Sequence, residues 1–113
     1  MTPSPPKELE IQGKIFNNLV ELGIFCFRNN SGAFAGEYKG KKRFVQFGLP
    51  GSSDLIAIVK GIFVGVEVKR PGGKQSDYQK AFQRNVEEAG GAYILAYSWN
   101  DVVPIINQIL KSK

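Results

Sequence analysis

Residues 54–69 read DLIAIVKGIFVGVEVK, and this stretch decides the fold. Two β-rich runs, 54–59 and 62–69, flank Lys60-Gly61, and a two-residue joint ending in glycine is the chemistry of a tight hairpin turn. With that turn Val59 faces Ile62 and Ile58 faces Phe63, and the pairing continues outward until Asp54 faces Glu67. Directly opposed side chains leave the same face with Cβ atoms about 5 Å apart, and Lys69, two residues beyond Glu67, projects from that face as well. A four-residue loop preserves this register, whereas a loop of three or five would send the carboxylates to opposite faces. The hairpin is apolar on both faces, with Leu55, Ala57, Val59, Val64, Val66 and Val68 on one and Ile56, Ile58 and Phe63 on the other. It is therefore expected to be a central pair covered on both sides.

Working outward, Ile11, Ile15, Phe16, Leu19 and Leu22 recur at steps of three and four, which predicts a helix over Glu8–Leu22 that stops at Gly23. Residues 24–28 read as a short strand. Residues 29–53 are glycine-rich, carry the basic cluster Lys39, Lys41, Lys42 and Arg43, and hold one strand-like patch at Phe44–Phe47. They predict a long, partly hairpin-like insertion. After RPGGKQ, Ser76 is placed to cap a helix through Ala89, with Gly90 at its end, and AYILAYS (92–98) is a further strand. Asn100 or Asp101 is expected to cap a last helix to about Leu110, which keeps Pro104 in the first turn. The order is αβ(β)ββαβα, an α/β sandwich with a central mixed sheet flanked by helices. Residues 1–7, with Pro3, Pro5 and Pro6, read as a loose arm, and 8–113 as one domain.

At 113 residues the chain has room for one core and no second. It lacks the long apolar run of a membrane span, and MTPSPPKELE lacks the core of a signal peptide, so the expected setting is intracellular and cytoplasmic. Cys26, inside IFCF, reads as a small buried hydrophobe. The chain contains no histidine, which excludes a Ser/His/Asp triad, a Cys/His pair and a His-ligated zinc site. Acid–base chemistry must then use carboxylates, lysine or metal-bound water. A net charge of +5 favours a polyanionic partner.

Two carboxylates at the end of a buried hairpin repel each other, and ionising both is unfavourable without a cation. Oxygen ligands alone suit Mg²⁺, with Mn²⁺ able to substitute. Gly65, between Phe63 and Glu67 on the same face, is expected to leave open space for a phosphate.

The ordered set G51-S-S-D54, E67-V-K69 and Gln79 on the following helix resembles the PD-(D/E)xK nuclease pattern. More narrowly, Glu8 and Gln12 near the start, FGLPGSSDL, VEVKRPGG, S-x-x-Q and GGAYILAYS resemble the virus-type replication-repair nuclease (VRR-Nuc) family over Glu8 to about Asp101. Ser53 stands where the pattern's proline would be, with Pro50 three residues earlier. The resemblance implies a restriction-endonuclease-like core and Mg²⁺-dependent hydrolysis of DNA phosphodiesters. It implies Asp54, Glu67 and the Val68 carbonyl as metal ligands, Lys69 as the group that orients or deprotonates the attacking water, and Gln79 beside them. Glu8 is the further acidic ligand implied, preferred to Glu10 because Glu8, Ile11, Gln12 and Ile15 share one helical side. Gln79 also completes a capping box with Ser76, which would explain it without catalysis.

Arg28, Lys39, Lys41, Lys42, Arg43 and Lys74 are the candidate phosphate contacts, each neutralised phosphate adding roughly 0.9 to the salt slope. The expected partner is branched DNA such as a Holliday junction, cut by a twofold homodimer, because one site nicks one strand and a twofold pair matches a twofold substrate. Two apolar surfaces are candidates for the dimer interface: Phe34 with Phe44–Leu49, or the last helix with Val102, Ile105, Ile106 and Ile109. The resemblance suits a prokaryotic or viral setting. Two other readings are a catalytically silent nucleic-acid-binding module on the same fold, and a basic structural partner in a larger assembly.

Overall fold

The computed structural model describes residues 7–29, 32–38 and 40–112, and within 32–38 and 41–47 it describes the backbone. The elements are α1 (Glu8–Glu21), β1 (Phe25–Arg28), β2 (Gly32–Tyr38), β3 (Lys41–Phe47), β4 (Leu55–Val59), β5 (Ile62–Val68), α2 (Asp77–Glu88), β6 (Ala92–Ala96) and α3 (Trp99–Lys111). A four-stranded sheet runs in the order β1-β4-β5-β6. Its first three strands are antiparallel and β6 joins β5 in parallel, so the fold is α/β with a central mixed sheet flanked by helices. The expected N-terminal arm lies outside the described residues except for Lys7, which is the N-cap of α1.

The β4–β5 hairpin has the register read from its turn, with Leu55 opposite Val66 and Val59 opposite Ile62. Lys60 (φ 50°) and Gly61 (φ 80°) both take the left-handed conformation that matches the twist of a two-residue hairpin. Lys60 accepts that conformation without being glycine, and its ammonium donates to the carbonyls of Leu110 and Ser112, at the C-terminus of α3, where the helix dipole favours a cation.

The odd positions of β4 and the even positions of β5 form the core with Ile11, Ile15, Leu19, Val102 and Ile106, so α1 and α3 share one face of the sheet. The other face is covered less completely than the apolar pattern suggests. There α2 packs on β6, with Phe82 edge-on to Tyr93. Over β1 and β4 the face is open, leaving Phe25 67%, Phe27 43% and Ile58 38% exposed. A single helix of 12 residues docked on the β6 side does not reach the opposite edge.

Three expectations need correction. The insertion contains two strands, β2 and β3, paired antiparallel as a separate two-stranded sheet. GAFAGEY is a strand through its partner, since its glycines and alanines carry little strand signal of their own. Helix α3 begins at Trp99 with Ser98 as N-cap, so Pro104 lies inside the helix and not in its first turn. Asp101 reaches back to accept from the Tyr97 N–H at 2.8 Å, which ties down the residue before the cap. The apolar stripe of α3 is spent on the core, with Val102 and Ile106 fully buried, and is not available to a second copy. The third correction concerns Gly65. The space above it is filled by Ser53, which is fully buried and donates to the Leu55 carbonyl at 3.1 Å.

A Cβ at position 65 would stand 2.8 Å from Ser53 Oγ and 3.3 Å from Ser53 Cβ. Gly65→Ala is therefore expected to lower unfolding stability by about 1–3 kcal/mol in urea titrations, the usual cost of overpacking. In a Ser53→Ala background the added cost should shrink, and equal costs in both backgrounds would show that Ser53 is not the obstacle.

Candidate active site

The site forms where β4 begins and β5 ends. Ladder pairing from β1 continues one step, with the Asn29 N–H donating to the Asp54 carbonyl at 2.8 Å. Asn29 Nδ2 also donates to Ser52 Oγ at 2.8 Å and to the Ser53 carbonyl at 3.0 Å, so the loop before β4 is fastened from the end of β1. On its other side the loop meets α2. Gly51 has φ 79°, and a Cβ there would overlap the Tyr78 carbonyl and lie 2.8 Å from Gln79 N. Only glycine lets the two backbones approach so closely.

Asp54 Oδ2 accepts from the Val68 N–H at 2.7 Å. A strand residue's N–H and C=O project to the same side, so the Val68 carbonyl faces the space beside Asp54 as well. Glu67, opposite Asp54, is buried, and among the described residues its Oε1 has no hydrogen-bond partner. Burial first, then the hydrogen bond to Asp54 and the nearby charges of Asp54 and Glu8, push the Glu67 carboxyl up to about 9 against the opposing pull of Lys69. The direction of that shift favours the protonated Glu67 carboxyl beside Asp54 in the metal-free protein.

A cleft of about 340 Å³ brings together Glu8, Asp54, Glu67, Val68, Lys69 and Gln79, with Leu9 and Gln12 beside Glu8. The catalytic and metal-binding residues expected from sequence all line it. Glu10 instead lines a separate pocket with Lys14 and Trp99. Gln79 does complete the capping box: its Oε1 accepts from the Ser76 N–H at 2.8 Å, and its own N–H donates to Ser76 Oγ at 3.2 Å. The cap takes the oxygen and leaves Nε2 as the donor available to the cleft.

The candidate phosphate contacts are more dispersed. Arg28 does not line the cleft; its guanidinium lies over the Phe16 ring, 5.1 Å from the centroid, where it braces α1. Lys74 is exposed outside the cleft. Lys41, Lys42 and Arg43 are on β3, opposite Tyr38, Glu37 and Gly36, and Lys39 lies outside the described residues.

Sequence reasoning missed Asn29, Gln75 and Tyr93. Gln75 Nε2 donates to Gln83 Oε1 at 2.9 Å and to Tyr93 Oη at 3.2 Å, joining the loop after Lys69 to α2 and β6. Burial is the main cause that pushes the Tyr93 phenol up to about 12, with the Glu67 and Asp54 charges adding to it. These partners are far apart in sequence and follow no local pattern.

The donor set fits a divalent cation at two carboxylates and one carbonyl. A buried acidic oxygen without a partner, next to a second carboxylate and an outward carbonyl, is an all-oxygen arrangement of the kind Mg²⁺ or Mn²⁺ takes. The third acidic ligand is not in place: among the described residues no group of three or more His, Cys, Asp or Glu side chains lies close enough to hold a metal. Glu8 borders the cleft without joining the pair. No protein-family model matches the chain, and no curated protein matches it.

Because the folded Glu67 carboxyl sits above its ordinary 4.5, its contribution to stability is complete below that pH and is lost as pH rises toward about 9. In EDTA, Glu67→Gln should melt like the wild type near pH 4.5 and progressively above it toward pH 9. A gap in melting temperature that does not change with pH would mean another group carries the titration.

Proposed function

We propose that the chain is a Mg²⁺-dependent endodeoxyribonuclease of the PD-(D/E)xK superfamily, of the VRR-Nuc type. The observation that carries this reading is the pairing of Asp54 with the buried Glu67 in a cleft also lined by Lys69 and Gln79. The parallel β6 beside an antiparallel β4–β5 pair, with helices on both faces, suits the restriction-endonuclease-like core that such enzymes share.

Asp54, Glu67 and the Val68 carbonyl would hold Mg²⁺, which would supply Lewis-acid polarisation of a phosphoryl oxygen and a more acidic water. The protein's own groups do the rest. Asp54 gives one oxygen to the Val68 N–H, which fixes its rotamer and leaves the other oxygen for the cleft. Glu67, whose carboxyl burial holds above its ordinary range, would have to ionise to act as a ligand. Lys69 brings a positive charge and a proton-transfer group to the attacking water and to the charge that develops on the phosphate. Gln79 Nε2 adds a donor on the α2 side, and Glu8 borders the site from α1.

Asp54→Asn, Glu67→Gln and Lys69→Ala are each expected to lower single-turnover cleavage by at least about a hundredfold, the scale of losing one charge-stabilising group. DNA affinity should stay near that of the wild type. Full cleavage in excess EDTA, or by Asp54→Asn, would overturn the assignment; binding without cleavage by the wild type would leave the silent module.

The same reading includes a homodimer acting on branched DNA. The open face over β1 and β4, where Phe25 and Phe27 lie 5.9 Å apart by ring centroid, together with exposed Leu49, supports it as apolar surface suited to a second copy. Sedimentation equilibrium at micromolar concentration should give twice the 12.5 kDa of one chain, and a four-way junction should be cut faster than linear duplex at matched salt and Mg²⁺. A monomer alone would remove the dimer, and equal rates would leave an endonuclease without structural preference.

A further inference from the structure

Lys69 follows the last residue of β5 and carries its ammonium on a flexible four-carbon stem, so its place in the cleft depends on what holds the backbone and the stem. The backbone is held by β6. The Lys69 N–H donates to the Ala96 carbonyl at 2.9 Å, one step beyond the β5–β6 pairing. The stem is met by the turn that follows it. Gly73 N–H donates to the Arg70 carbonyl at 2.9 Å, with Pro71 second and Gly72 at φ 85° third, the residues a type II turn requires. A Cβ on Gly73 would stand 3.2 Å from Lys69 Cβ and 3.4 Å from its Cδ, so the bare Gly73 backbone lies along the lysine stem.

That turn is fastened to β6 at a second point. Tyr97 Oη donates to the Gly73 carbonyl at 3.0 Å. Tyr97 is the residue after Ala96, and its own N–H is held by Asp101 Oδ2 of α3. Two consecutive residues of one strand end therefore grip both ends of the Lys69–Gly73 segment, Ala96 by its carbonyl and Tyr97 by its hydroxyl.

Resting on the nuclease reading of the cleft, we propose that Tyr97 is a positioning residue for Lys69: its hydroxyl, through the Gly73 carbonyl, holds the turn against which the lysine stem is packed. It does not line the cleft, so its effect on turnover is carried by the segment that places Lys69. A functional group needs to be held within about 0.5 Å of its productive place, and a displacement of about 1 Å can cost a hundredfold in rate.

The test is Tyr97→Phe, which removes only the hydroxyl, with Gly73→Ala as a second variant that pushes on the stem directly. Both are expected to lower kcat by about tenfold or more, with KM within roughly twofold and, for Tyr97→Phe, a melting temperature within about 4 °C of the wild type. In protein labelled at lysine, the Lys69 Cε resonance should shift or broaden in both variants while the other lysine signals stay in place, a readout that needs no cleavage. An unchanged kcat with an unchanged Lys69 resonance overturns the proposal. So does a kcat loss that comes with a matching rise in KM and no change at Lys69, which is the mark of general structural damage. Wild-type protein that shows no Mg²⁺-dependent cleavage sinks the nuclease reading itself; an active wild type with an indifferent Tyr97→Phe sinks the clamp alone.

Discussion

Two carboxylates held opposite each other at the buried end of a hairpin are the constraint around which this structure is arranged. Their meeting depends on parity. One residue more or fewer between Val59 and Ile62 would turn Asp54 and Glu67 to opposite faces, and the cleft would lose its pair. The turn is fixed by Lys60 and Gly61 in left-handed conformations and by the attachment of the Lys60 ammonium to the end of α3. The register is fixed again by the core, because any slip would carry Leu55, Ala57, Val64 and Val66 out of contact with α1 and α3. Placing the acidic pair costs stability at neutral pH, and the fully buried aliphatic face of the same two strands offsets it.

Most of the remaining detail near the cleft holds that pair in place. Asn29 anchors the loop before β4, Gly51 lets that loop press against α2, and the capping box fixes the first turn of α2 so that Gln79 reaches the site. Ser53 fills the space over Gly65 and removes a void beneath the loop. Gln79 need not be either structural or functional, because a carboxamide has two ends. Its oxygen closes the cap and, among the described residues, its nitrogen has no partner, so the group that stabilises the helix also presents a donor toward the cleft.

What was legible in the sequence was local or periodic. The hairpin register followed from one turn, the α2 cap from Ser76 and Gln79, and the cleft-facing side of α1 from the helical spacing of Glu8 and Gln12. Features set by partners distant in sequence were not legible. Arg28 is a candidate phosphate contact by composition until Phe16 lies beneath it, and the Gln75, Gln83 and Tyr93 contacts join a loop to α2 and β6; strand β2, although it is next to β3 in sequence, is glycine- and alanine-rich and has little strand signal apart from that pairing. The beginning of α3 was misplaced because Ser98 caps without a side-chain hydrogen bond, and Asp101 has the composition of a cap while serving the residue before it. Gly65 was read as open space because glycine records only that something comes close, without saying whether it is a ligand or the protein itself.

The electrostatics of the cleft run against the charge of the chain. Overall the protein carries +5, yet the groups facing the cleft are Glu8, Asp54 and Glu67 against a single Lys69. With all three carboxylates ionised, that surface would carry a local charge opposite in sign to that of the chain as a whole. Holding a proton on Glu67 removes one charge, and a divalent cation would remove two and also relieve the unpartnered oxygen. On the nuclease reading, long-range attraction and local chemistry would be divided between different residues: basic groups outside the cleft would draw the DNA backbone in, while the acidic pair would need its charge offset before it could face a phosphate.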